Sequence, residues 1–95
     1  MKLHELKSWP EYFAPVLSGA KLFELRHNDR DFEVGDELLL REYNPTAQSY
    51  SGRELRATVT YAMYGVGSVG AILPLKGLAA NYVILGIELQ FQQLE

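Results

Sequence analysis

A chain of 95 residues with a net charge of -3, 47% apolar and 22% charged, is one domain, 1–95, with a single core. That balance excludes a disordered tail, a repeat array, and a basic protein that holds duplex DNA mainly by neutralising phosphates; a nucleic-acid site would have to be local. Cysteine is absent, which removes disulfides and thiolate metal sites and points to a reducing, cytoplasmic setting.

The chain opens with an extended segment, Lys2 to Lys7. No apolar run here or later is long enough for a signal peptide or a bilayer span, so no membrane role is expected. Neither His4 nor His27 has a second histidine at ligand spacing, so neither a metal nor another cofactor is expected. Ser8, Pro10 and Glu11 then read as a capping box. They predict a helix from about Trp9 to Ser18, with Trp9, Phe13, Val16 and Leu17 on its apolar face and Gly19 as a left-handed cap. Pro15 removes the hydrogen bond to the Glu11 carbonyl and predicts a kinked or shortened helix.

From Lys21 the period changes to two, predicting a strand that buries Phe23 and Leu25 and turns Leu22, Glu24 and Arg26 the other way. A polar loop, His27 to Asp31, leads to a strand that opens at Gly35-Asp36 and runs to about Tyr43. The turn-rich "NPTAQSYSG" predicts a long hairpin loop, followed by a strand from Arg53 to Met63 that buries Leu55, Ala57, Val59 and Tyr61. The glycine-rich "YGVGSVGAILPLKGLAAN" predicts a mobile loop with one helical turn near Leu78. A last strand, Tyr82 to Phe91, directs Val83, Leu85, Ile87, Leu89 and Phe91 inward. These elements predict an α+β fold: a small, partly open mixed β-barrel of five to six strands, plugged by one or two short helices.

Within this order, "GAKLFELR" at Gly19 to Arg26 matches the ASCH signature GxKxxExR, preceded by the capped helix and followed by the polar loop and the "VGD" strand. The chain from Met1 to about Tyr61, and less closely "NYVILGIEL", resembles the small bacterial and phage ASCH-like proteins of the PUA-like superfamily. The resemblance implies a PUA-like pseudobarrel whose cleft lies where the signature strand, the opening strand and the polar loop meet, with RNA or a nucleotide-like ligand as the partner. A related bacterial branch with a similar signature hydrolyses acetylated cytidine, using the signature lysine, a threonine where this chain has Glu24, and a later glutamate. Glu24 departs from that pattern, because a carboxylate does not act as a hydroxyl nucleophile.

Each candidate residue has a structural and a functional reading. Glu24 and Arg26, roughly 6.6 Å apart at their α-carbons on one strand face, form either an ion pair that fixes the strand or a ligand-binding unit. In the second case Arg26 presents a planar fork to phosphate or a base edge, and Glu24 accepts from a base amino group. Lys21 is either a solvated turn lysine or, desolvated in the cleft, a phosphate contact or proton-transfer group. Asn28, Asp29 and Arg30 make a hydrophilic turn or a cleft rim on which Arg30 meets phosphate and Asn28 reads a base. Trp9 and Phe13 fit core positions, and Tyr12 fits an edge that stacks on a base. His4, which the resemblance places near the cleft, is either a satisfied polar residue or a group titrating near neutrality.

The leading expectation is an RNA-binding module that holds a single-stranded or flipped-out nucleotide with Lys21, Glu24, Arg26, Asn28, Arg30, His4 and Tyr12. The alternative is an enzyme, a hydrolase of a modified nucleoside or a ribonuclease, with Lys21 and Glu24 as its catalytic pair. A third reading is a protein-interaction domain with an apolar patch over Tyr64 to Leu78.

Overall fold

The computed structural model describes residues 1–66 and 76–90. Five strands form one mixed sheet in the order β1-β3-β4-β5-β2: β1 (Leu3–Ser8), β2 (Phe23–His27), β3 (Glu37–Asn44), β4 (Ser49–Tyr64) and β5 (Tyr82–Gln90). Only β1 and β3 run parallel; the other neighbours are antiparallel. The sheet curls into a half-barrel with β1 and β2 as its two edges. One helix, α1 (Pro10–Leu17), lies between those edge strands in the chain and packs against β3. The single segment β1-α1-β2 therefore runs from one edge of the sheet to the other.

The core fills the concave side. Leu6 of β1, Phe13 and Val16 of α1, Phe32 of the loop, Leu38 and Leu40 of β3, Ala57 and Val59 of β4, and Val83 and Leu85 of β5 are all buried. Along β1, β3 and β5 buried and partly or fully exposed residues alternate, as a strand with one covered face requires.

Four sequence-based expectations change. Ser8 is not a helix cap: it is the last residue of β1, its side chain buried, and Trp9 takes the N-cap position in extended conformation without a side-chain bond. The strand's inward alternation, His4, Leu6, Ser8, carries the serine into the interior before the helix begins. Pro10 does start the helix, Pro15 sits inside it without breaking it, and Gly19 turns the chain with φ +83.

The "NPTAQSYSG" loop is shorter than predicted, because β3 and β4 stay paired to Asn44 and Ser49. The Asn44 side chain accepts from the Thr46 and Ala47 amides at 2.9 and 3.1 Å, closing the tight turn. Tyr61 is exposed, not buried, because the ladder to β5 shifts between Val59 and Tyr61 and reverses the strand's inward face.

The fourth correction concerns β2. Phe23 and Leu25 are about half exposed while Glu24 is 3% exposed. Glu24 pairs with Leu85 and Arg26 with Val83, both core residues, so the ladder to β5 places the charged set on the inner side. Most of the predicted loop over Tyr64 to Leu78, and Phe91, lie outside the described residues; residues 76–81 form turns, without the predicted helical turn.

A second shift, between Arg41 and Tyr43, leaves Glu42 without a ladder partner on β4, and the inward alternation of Leu38 and Leu40 continues to it and buries it. Arg53 grips both its oxygens, Nε to Oε1 at 3.0 Å and Nη2 to Oε2 at 2.8 Å, while the guanidinium lies 5.2 Å from the Phe13 ring centre. The bonds from Arg53 and Ser51 hold the Glu42 carboxyl at about 2, below its ordinary 4.5. A depressed folded-state value makes Glu42 stabilising above pH 4.5 and removes that contribution as pH falls toward 2. Urea unfolding at pH 7 and pH 3 is expected to show Glu42→Gln clearly less stable than the parent at pH 7, with the gap narrowing at pH 3.

Candidate functional site

Between the end of β1, the start of α1 and strand β2 lies a cleft of about 620 Å³, lined by Lys7, Ser8, Trp9, Tyr12, Lys21, Phe23, Glu24, Leu25 and Arg26. The Trp9 and Tyr12 rings lie near-parallel, their centres 6.4 Å apart, and both are about half exposed. Lys21 Nζ is 5.3 Å from the centres of both the Tyr12 and Phe23 rings, a cation-π arrangement, and 3.8 Å from Glu24 Oε1. The lining holds three cationic side chains to one carboxylate in a chain of net charge -3. Positive charge is thus concentrated at a concave, aromatic-walled place.

Glu24 is hydrogen-bonded on one oxygen only, the other lying in ion-pair range of Lys21 Nζ. Arg26 donates from Nε to Oε2 at 3.0 Å, and its Nη2 lies in ion-pair contact with the same oxygen, also at 3.0 Å. Glu24 Oε1 and the Ser8 hydroxyl, both buried, have no hydrogen-bond partner among the described residues.

The structure brings together Tyr12, Lys21, Glu24 and Arg26 of the predicted set. It places three others elsewhere. His4 lies in the interior, its Nε2 2.8 Å from Asp36 Oδ2 and its ring against Phe32. Burial pushes the Asp36 carboxyl up, but the His4 bond and the Lys2 and Glu33 amides outweigh it and leave it below its ordinary value. Asn28 spends its side-chain oxygen on the Phe32 amide, fixing the loop that carries Phe32 into the core. Arg30 reaches β1 and donates to the Glu5 carbonyl at 2.7 Å. Trp9, read from helical spacing as a core residue sooner than a stacking one, is instead about half exposed and lines the cleft, as do Lys7, Ser8, Phe23 and Leu25, which the sequence did not single out as ligand contacts. For Ser8 a signal was present: the inward alternation of β1 continued by one more step reaches it.

Arg26 also has a structural task. The Lys2 carbonyl accepts from Glu37 and so faces β3; by alternation the carbonyls of Glu5 and Lys7 face the open edge. Arg26 Nη2 donates to the Lys7 carbonyl at 3.0 Å, and Arg30 to that of Glu5. Two guanidinium groups therefore bridge β1 to β2 and its following loop, where no ladder pairs the two edges. Arg26→Ala, which strands a buried carboxylate, is expected to cost about 3 kcal/mol in urea unfolding. Adding Glu24→Gln to that variant should restore part of the loss.

The family model described as "Domain of unknown function (DUF3850)" matches residues 3–87. An "Uncharacterized 12.9 kDa protein in GpA 3'region" of Escherichia phage P2 is 41% identical over 59 residues, which cover 62% of this chain and 52% of that protein. The aligned segment thus spans about half the length of that relative. With the model covering all five strands nearly end to end and including every residue that lines the cleft, the chain belongs to the DUF3850 family.

Proposed function

We propose that the cleft binds one unpaired nucleotide of a single-stranded RNA. The observation that carries this reading is the pair of half-exposed, near-parallel rings of Trp9 and Tyr12 beside Lys21, over a cleft with three cations to one carboxylate. Bases stack on such rings whatever their identity, and cations meet the backbone phosphates. A ligand made only of anionic groups would leave the aromatic walls unused.

The signature positions support the same reading. Lys21, Glu24 and Arg26 line the cleft, and Gly19 makes the left-handed turn that leads into them. On this view the half-barrel is a PUA-like pseudobarrel of the ASCH type, working in the cytoplasm on RNA. Its phosphate contacts are Lys7 and Lys21; Arg26 serves chiefly to hold Glu24 and the Lys7 carbonyl.

A second reading has one observation in its favour: Lys21 Nζ stands 3.8 Å from the Glu24 oxygen that accepts no hydrogen bond, and a lysine and a carboxylate facing one cleft are the groups that proton transfer in a nucleoside hydrolase or ribonuclease would use. Incubation with acetylated cytidine and with short RNA separates the two readings. Product formation that disappears in Lys21→Ala selects the enzyme, and binding without turnover selects the module.

For the binding reading, fluorescence anisotropy with a labelled single-stranded octanucleotide is expected to give a log-log salt slope of about -1.4, from two phosphate contacts. Lys21→Ala should make that slope shallower by about 0.7, and Trp9→Ala should weaken binding by about tenfold. A flat salt response overturns the proposal.

A further inference from the structure

We infer that Ser8 and the free oxygen of Glu24 together read the pairing edge of the bound nucleobase, so that the ligand must be a base whose hydrogen-bonding edge is open. This rests on the reading of the cleft as a nucleotide site and adds what the site recognises.

Ser8 and Glu24 are 2% and 3% exposed, so each is more than nine-tenths buried, and both line the cleft. Each carries one buried polar atom, Ser8 Oγ and Glu24 Oε1, with no hydrogen-bond partner among the described residues. Buried polar groups in folded proteins are nearly always paired, and an unpaired one in a native structure calls for a reason. Two in the lining of one cleft share a simple one: they are completed by a ligand.

Their chemistry specifies what completes them. An ionised carboxylate accepts only, and with the Lys21 ammonium at 3.8 Å, beyond hydrogen-bond distance, Glu24 Oε1 calls for an N–H or O–H donor. A serine hydroxyl donates one hydrogen and accepts on its lone pairs. The partner is therefore a group with a donor beside an acceptor. The pairing edge of every nucleobase has that arrangement: an amino group next to a ring nitrogen in adenine and cytosine, a ring N–H next to a carbonyl in guanine and uracil. With that edge directed at Ser8 and Glu24, the ring runs along Trp9 and Tyr12, and the nucleotide's own sugar and phosphate are left toward Lys7, while Lys21, 3.8 Å from Glu24 Oε1, meets a neighbouring phosphate of the strand. A base already paired in a duplex has no free edge to offer. Glu24 is pre-set for this task, because Arg26 fixes its other oxygen from two nitrogens.

The test is anisotropy with octauridylate and octaadenylate, set against the same strands built from N3-methyluridine and N6,N6-dimethyladenosine. These methyl groups block the pairing edge while leaving ring, charge and backbone in place. The unmodified strands are expected to bind at least about tenfold more tightly than the blocked ones. Ser8→Ala should weaken the unmodified strands by about three- to tenfold, the worth of one hydrogen bond, and leave the blocked strands unchanged.

The Tm separates this role from a structural one. Removing an unpartnered buried hydroxyl should leave the Tm unchanged or raise it, whereas a hydroxyl that holds the fold would lower it. Equal affinity for blocked and open strands, or a Ser8→Ala variant with lower Tm and unaltered affinity, overturns the inference while the nucleotide site stands. If no single strand binds even at low salt, the reading of the cleft falls, and this inference with it.

Discussion

The half-barrel is closed at its seam by arginine side chains instead of strand pairing. Strands β1 and β2 are the edges of a five-stranded sheet, and an unpaired edge is a row of backbone groups seeking partners. Here the outward carbonyls of Glu5 and Lys7 receive Arg30 and Arg26, while α1 carries the chain from one edge to the other. Arg26 in turn is aimed by Glu24, whose burial is tolerable because the guanidinium faces it.

A seam made from side chains is wider than one made from a ladder, and the cleft occupies part of that gap. Neighbouring strands stand about 4.8 Å apart, which leaves no room for a ligand, whereas the guanidinium bridge leaves space bounded by Ser8, the helix start and β2. The same arrangement makes Glu24 half-satisfied. Glu42, the other buried glutamate facing an arginine, shows the contrast: both its oxygens are engaged by Arg53, and it does not line the cleft. A carboxylate completed within the protein is structural; one left with an open oxygen on a cleft wall is available to something else.

Much of the architecture was legible in the sequence. The period-two runs at β4 and β5, the Pro10 start and Gly19 end of α1, and the change of period after Lys21 follow from local chemistry and appear in the structure. The α+β composition and the partly open barrel follow from element order. The cleft residues Tyr12, Lys21, Glu24 and Arg26 were legible from one short stretch and the helix before it. What misled was the sign of alternation. Leu55, Ala57 and Val59 point inward as read, whereas Phe23 and Leu25 do not, although both runs alternate equally well. Alternation states that a strand has two faces and leaves open which of them is covered.

The sequence by itself determined the elements, their order, and the charged segment after the helix, because these depend on backbone preferences and on neighbours a few positions away. Only the tertiary structure decided which side of β2 faces in, since that is set by pairing Glu24 with Leu85 and Arg26 with Val83, some sixty positions along the chain. It likewise decided that Ser8 ends a strand instead of capping a helix, and that His4, Asn28 and Arg30 serve the fold away from the cleft. The physical reason is the same in each case: a side chain's role depends on which distant groups are brought within about 3 Å of it, and that distance is fixed by the closing of the sheet.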